Sequence, residues 1–302
     1  MQVYNIELGN TLQYELIKFP GGELHIRLNE SVMQEIEKYE MTALTARIND
    51  SQRLIETILL CDAIKQETDR PVTLILPYLP YGRADRRFSS GDCFGVATFA
   101  RLINSAKVLT MTLDAHSAQG LSYFDRIKDL PSNQFIESAF TDFSSGSPDD
   151  VTVLFPDKGA RERYGAVSNR YANVLHCSKE RNLLTGKLRG FNVPEATDFK
   201  TKKVLIVDDI CDGGGTFNGI ADSLKDYGLE LGLYVTHGIF SKGYSELSKR
   251  FKKIYTTDSF RVSYPDQDRF GPNEDLTVFP THEYFLQHHY ALLCAPITQK
   301  TI

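Results

Sequence analysis

Asp208 and Asp209 stand side by side where the apolar run Val204-Leu205-Ile206-Val207 stops. Asp212, the glycines Gly213, Gly214 and Gly215, and then Thr216 follow almost at once. Carboxylates there can accept hydrogen bonds from vicinal sugar hydroxyls and can hold a magnesium ion, while glycines leave backbone N–H groups open to a phosphate. Thr216 adds a hydroxyl donor. The order of acid pair, glycine loop and hydroxyl therefore describes a site for a sugar phosphate. No Lys follows the glycines directly, as a Walker A loop requires, and no spaced GxGxxG is present for a dinucleotide.

The elements that must carry this loop are legible around it. Val204 to Val207 are apolar at successive positions, as in a parallel strand covered on both faces, so the acids should sit at the sheet rim, where open α/β sheets bind ligands. Phe217 to Tyr227 is helix-compatible with Gly228 as a stop, which sets the phosphate at a helix N-terminus. The same grammar recurs upstream: Val72–Pro77 leads to Arg83 and Asp85, Lys107–Leu113 to Asp114 and His116, and Val151–Phe155 to Asp157 and Lys158. Helical spacing lies between these strands, in an apolar stripe of Leu54, Ile55, Ile58, Leu59 and Ala63 and again over Phe94–Ile103. Alternating strands and helices imply an α/β fold with parallel sheets.

A chain of 302 residues is long enough for two domains. A boundary near residue 130, or at the turn-rich stretch Asp142–Asp150, divides it into halves of similar grammar, 1–130 and 131–302, with the tail free to pack back on the first. Thr185 to Lys203 reads as a long loop suited to a lid. A net charge of -5 offers no basic footprint for nucleic acid and no polybasic membrane patch. Five cysteines without metal-ligand or disulfide spacing suit a reducing cytoplasmic setting, and no segment reads as a secretory signal or a membrane span.

The run Val204 to Thr216 resembles the phosphoribosyl pyrophosphate loop of type I phosphoribosyltransferases and of ribose-phosphate pyrophosphokinases. Further segments resemble the second family in its own order. They are Phe19-Pro20-Gly21-Gly22-Glu23, Asn49-Asp50-Ser51, Pro80 to Arg87, Asp114-Ala115-His116, Phe155 to Arg161, Lys179-Glu180-Arg181, and Thr236 to Ser241. The likeness runs from about residue 19 to about residue 260 and departs from the family pattern at Gly21, Ala84 and Lys158.

That resemblance implies two tandem type I phosphoribosyltransferase-like domains with central, mainly parallel sheets. It also implies ribose-phosphate diphosphokinase activity, in which ATP and ribose 5-phosphate give phosphoribosyl pyrophosphate and AMP. Carried over residue by residue, Phe19, Glu23, Arg83, Asp85 and His116 would meet ATP. Asp208, Asp209, Asp212, Gly213, Gly214, Gly215 and Thr216 would bind ribose 5-phosphate. Asp114, His116 and Asp157 would serve magnesium, and Lys179 and Arg181, with His116, would be catalytic. A cytoplasmic homo-oligomer built from dimers is expected on the same ground. A phosphoribosyltransferase, or a catalytically silent subunit of the same fold, would share the loop but would not need Phe19, Glu23, Arg83, Lys179 and Arg181 together.

Overall fold

The structure, a computed structural model, describes residues 2–87, 89–181, 188–263 and 275–294, with the backbone alone at 179–181, 188–191 and 290–294. The chain forms two compact units, Met1–Leu130 together with Pro280–Ile302, and Pro131–Phe279.

The first unit contains β1 (Val3–Glu7), β2 (Tyr14–Lys18), β3 (Leu24–Leu28), α1 (Glu30–Ile36), β4 (Met41–Thr45), α2 (Ser51–Glu67), β5 (Val72–Leu76), α3 (Gly95–Ser105), β6 (Leu109–Leu113), α4 (Ala118–Leu121) and β7 (Ile127–Leu130). Its main sheet runs β1-β4-β5-β6-β7, parallel throughout, while β2 and β3 form an antiparallel hairpin. Every residue of β4 and of β5 is buried, the signature of parallel strands covered on both faces. The face of α3 that turns inward, Val96, Phe99, Ala100 and Ile103, follows the spacing read from the sequence.

In α2 the expected stripe is part of the inward face, with Leu54, Leu59 and Ala63 packed half-buried against the core, but it is not the whole of it. Leu60, Cys61 and Ile64 are buried with Glu56 and Thr57, while Ile55 is 47% exposed. Glu56 is drawn in because it is satisfied there: it accepts from Tyr14 Oη at 2.6 Å and pairs with Arg53 Nη1 at 2.8 Å. A helix from His282 to Cys294 completes this unit. Its His289 is fully buried, with Nε2 2.7 Å from Thr73 Oγ1 of β5.

The second unit contains α5 (Asn133–Ser144), β8 (Val151–Phe155), α6 (Lys158–Arg163), α7 (Gly165–Ser168), β9 (Val174–His176), β10 (Ser178–Arg181), β11 (Leu188–Asn192), β12 (Lys203–Cys211), α8 (Gly215–Leu224), β13 (Glu230–Gly238), α9 (Ser245–Ser248), β14 (Lys253–Thr257) and β15 (Leu276–Phe279). Its sheet order is β15-β14-β13-β12-β8-β9, again parallel, and β10 and β11 form a separate antiparallel ribbon.

Two expected loops are partly regular. The turn-rich stretch begins only after Ser144, because Phe140 and Phe143 keep α5 in the core until Ser145 closes it in a left-handed conformation. In the stretch read as a lid, 185–187 lie outside the described residues and Leu188–Asn192 is a strand. Helix α8 passes into a 3-10 turn at Lys225–Tyr227 and stops at Gly228, whose φ is +66°. Among the described residues no helix is long and apolar enough to cross a membrane.

Candidate active site

Strand β12 pairs with β8 only as far as Ile206, opposite Leu154, but with β13 as far as Cys211, opposite Gly238. The acids expected at the rim therefore lie within the strand, because β13 continues to hold β12 after β8 has left. Asp208 sits just past that departure, where one neighbouring strand is missing. Beyond Cys211 the chain turns, and Gly214 takes a φ of +76° immediately before α8. A side chain there would be strained, and its β-carbon would stand 3.4 Å from Leu247. Among the described residues no side chain caps α8, which leaves its first-turn N–H groups open to an anion.

The electrostatics of the acid pair are unequal. Burial, reinforced by the neighbouring Asp209 and then by Asp157, holds the Asp208 carboxyl well above the usual carboxylate range. Asp209 is 4% exposed, and Arg163 Nη1 at the end of α6 meets its Oδ2 at 3.0 Å. In the sequence Arg163 is one of several charges between positions 158 and 163; here its guanidinium is aimed at the acid pair that precedes the glycine loop. Asp157 caps α6 by accepting from Ala160 N–H at 2.9 Å. Burial pushes the thiols of Cys177 and Cys211 up to about 12, so both are inert packing groups rather than nucleophiles.

Asp212 and Thr216 flank the glycines as expected, Asp212 exposed and Thr216 half-buried at the first turn of α8. Lys242 was not singled out by its sequence context, yet its stem lies against Gly213. Lys179 and Arg181 lie on β10, whose pairing with β11 shifts register between Glu180 and Arg181. Their side chains lie outside the described residues.

In the first unit Phe19 and Glu23 face each other across the β2–β3 turn: Phe19 N–H donates to the Glu23 carbonyl at 2.8 Å, and Gly22 N–H to the Phe19 carbonyl at 2.8 Å. Phe19 is 48% exposed, an aromatic face open to a planar ligand. A β-carbon on Gly21 would meet only the flexible end of the exposed Glu23 side chain, 2.5 Å from its Oε2, so nothing in the fold demands the glycine.

Arg83 is exposed in the turn after β5 and makes no ion pair among the described residues, while Asp85 lies 3.9 Å from Arg86 Nε. A β-carbon on Gly82, next to Arg83, would stand 3.8 Å from His116 Cβ, so this turn and the one after β6 adjoin. Asp114 is 7% exposed with a φ of +47°. That left-handed residue ends the extended geometry that would have aligned it with His116 by strand alternation. Among the described residues no three His, Cys, Asp or Glu side chains converge as a metal cluster.

Comparison with known proteins fits this architecture. Residues 2–106 match the N-terminal domain of ribose phosphate pyrophosphokinase, and residues 143–269 match the phosphoribosyl transferase domain. The ribose-phosphate pyrophosphokinase of Pyrococcus abyssi is 31% identical over 258 residues, covering 83% of this chain and 85% of the relative. The chain belongs to the ribose-phosphate pyrophosphokinase family. The Pyrococcus furiosus member is 30% identical over 250 residues, covering 81% of this chain and 85% of its own. The phosphoribosylpyrophosphate synthetase structure from Mycobacterium smegmatis superposes with a TM-score of 0.76 over 97% of this chain and 99% of that one; at 20% identity it bears on the fold alone. Within this family of enzymes, the chain keeps the acid pair and glycine loop on one unit and the Phe19, Arg83 and His116 turns on the other.

Proposed function

We propose that this chain is a ribose-phosphate diphosphokinase, transferring the pyrophosphoryl group of ATP to the 1-hydroxyl of ribose 5-phosphate. The observation that carries the reading is the uncapped N-terminus of α8 behind a left-handed Gly214, with Asp208 and Asp209 one turn of chain upstream. Asp212, Thr216 and the N–H groups of Gly213 to Gly215 form the cradle of the 5-phosphate, and Asp208 and Asp209 take the ring hydroxyls. Holding the sugar at both ends fixes its 1-hydroxyl for in-line attack on the β-phosphorus. The 1-oxygen bond to that phosphorus forms as the bond to the AMP oxygen breaks, so AMP leaves. Positioning and charge stabilisation account for such a reaction, since it needs little covalent participation from the protein.

The nucleotide is assigned to Phe19, Glu23, Arg83, Asp85 and His116, the exposed aromatic serving the base and Arg83 the polyphosphate. The hard-oxygen donors fit Mg2+: Asp208 is crowded by Asp209 and Asp157, and a cation would relieve that repulsion. Mg2+ typically takes one or two protein carboxylates and completes its shell with water and substrate phosphates, so it does not need a dense side-chain cluster. On the first unit Asp114 and His116 are the residues assigned to Mg2+, and on the second unit Asp157 is the candidate; bound, the ion would neutralise polyphosphate charge. Lys179 and Arg181 stabilise the transferring group. The free cysteines support a cytoplasmic setting. A homo-oligomer is proposed on the family resemblance alone.

Replacing Lys179 and Arg181 with alanine should abolish turnover and leave ribose 5-phosphate binding measurable. A double variant that is folded and still turns over at a rate near wild type removes both residues from the chemistry.

A further inference from the structure

We infer that Lys242 is a phosphate-binding and specificity residue of the sugar-phosphate loop, supplying the cation that the 5-phosphate needs; this rests on the proposed function. A phosphate monoester carries close to two negative charges at neutral pH. Around the loop stand Asp208, Asp209 and Asp212; the Arg163 guanidinium is engaged with Asp209, and the exposed Asp212 stands directly beside the glycines. A helix N-terminus offers roughly half a positive charge, which does not balance that field.

Lys242 answers the deficit from the loop after β13. A β-carbon built on Gly213 would stand 3.5 Å from both Cδ and Cε of Lys242 and 3.8 Å from its Cγ, so the aliphatic stem lies along the glycine. With one further C–N bond, Nζ falls within about 5 Å of that point. The ammonium makes no ion pair or hydrogen bond among the described residues. Gly213 has no side chain to intrude between the two.

The backbone that carries Lys242 is tied to the same loop. Ile239 and Phe240 N–H both donate to the Cys211 carbonyl, at 2.9 and 3.1 Å, and Ser241 N–H donates to the Asp212 carbonyl at 3.2 Å. Gly243 N–H closes back on the Phe240 carbonyl at 2.8 Å, with Gly243 at a φ of +72°. The lysine is thus presented by a short turn fixed to the two residues that open the glycine loop. An exposed lysine held this way, with no acid to pair with, is suited to a ligand anion.

The test is calorimetric binding of ribose 5-phosphate to wild type, Lys242→Ala and Lys242→Arg, with steady-state KM values for both substrates. Loss of one charge-assisted contact should weaken ribose 5-phosphate binding in Lys242→Ala by about tenfold or more. Lys242→Arg should recover most of it, and the KM for ATP and the melting midpoint should not move. A dissociation constant for ribose 5-phosphate unchanged within about twofold in a folded Lys242→Ala protein, or an equal rise in the KM for ATP, overturns the inference. Wild type that binds ribose 5-phosphate but forms no AMP contradicts the diphosphokinase reading, while the binding comparison still decides the role of Lys242. Wild type that does not bind ribose 5-phosphate overturns both.

Discussion

Arg163 Nη1 and Asp209 Oδ2 stand 3.0 Å apart, on side chains 22% and 6% exposed, so the charge of one loop acid is compensated before any ligand arrives. Removing one partner of a buried pair typically costs about 3–5 kcal/mol, and the partial exposure of Arg163 puts the expectation at the lower end. Arg163→Met should therefore lower stability by about 3 kcal/mol in urea titrations. It should also raise the KM for ribose 5-phosphate more than that for ATP. Unchanged stability and kinetics would show that the pair is incidental.

Asp208 makes the opposite contribution. Its folded-state pKa is raised by burial and by Asp209, so ionising it costs more in the folded protein than in the unfolded chain. That cost is absent below the unfolded carboxylate value of 3.8, grows as pH rises through the folded value, and is fully present above it. Asp208→Asn should accordingly be inactive yet melt about 2–4 °C above wild type at neutral pH, with the two curves converging as pH falls toward 4. Scanning fluorimetry without magnesium across that range checks the sign. A variant less stable than wild type at neutral pH contradicts it.

These two residues also mark how far the sequence can be read. The strand, the glycine loop, the helix after it and the stop at Gly228 depend on neighbours in sequence, and each is legible there. The α/β class follows from the repeated strand–helix grammar for the same reason. Arg163 and Lys242 reach the loop from distant parts of the chain, so nothing local distinguishes them from solvated charges. Local pattern also missed part of α2, where Glu56 is pulled inward by Tyr14 and Arg53, one of them far away in sequence. At Asp114 a single left-handed residue turns the chain before His116, and no residue-type preference announces φ > 0 at an Asp with certainty.

The terminal helix should make the first unit acid-sensitive. His289 is held neutral by burial, its pKa lowered from 6.5, with Nε2 on Thr73 and Nδ1 without a hydrogen-bond partner among the described residues. The unfolded chain binds the proton more readily, so this contribution to stability is complete above 6.5 and declines as pH falls below it. The slope should be at most about 1.4 kcal/mol per pH unit. Denaturant titrations between pH 7.5 and about 5 should show this slope in wild type and a shallower one in His289→Gln. Equal slopes would remove His289 from the acid response.

The central claim is that the loop formed by Asp208, Asp209 and Gly213 to Thr216 holds ribose 5-phosphate for pyrophosphoryl transfer. The most direct measurement is product analysis of the purified full chain with ATP, ribose 5-phosphate and magnesium, following AMP and phosphoribosyl pyrophosphate together. Appearance of the two in equal amounts is the expected result. Folded protein that binds ribose 5-phosphate but releases neither product, or that releases ADP in place of AMP, would contradict the account.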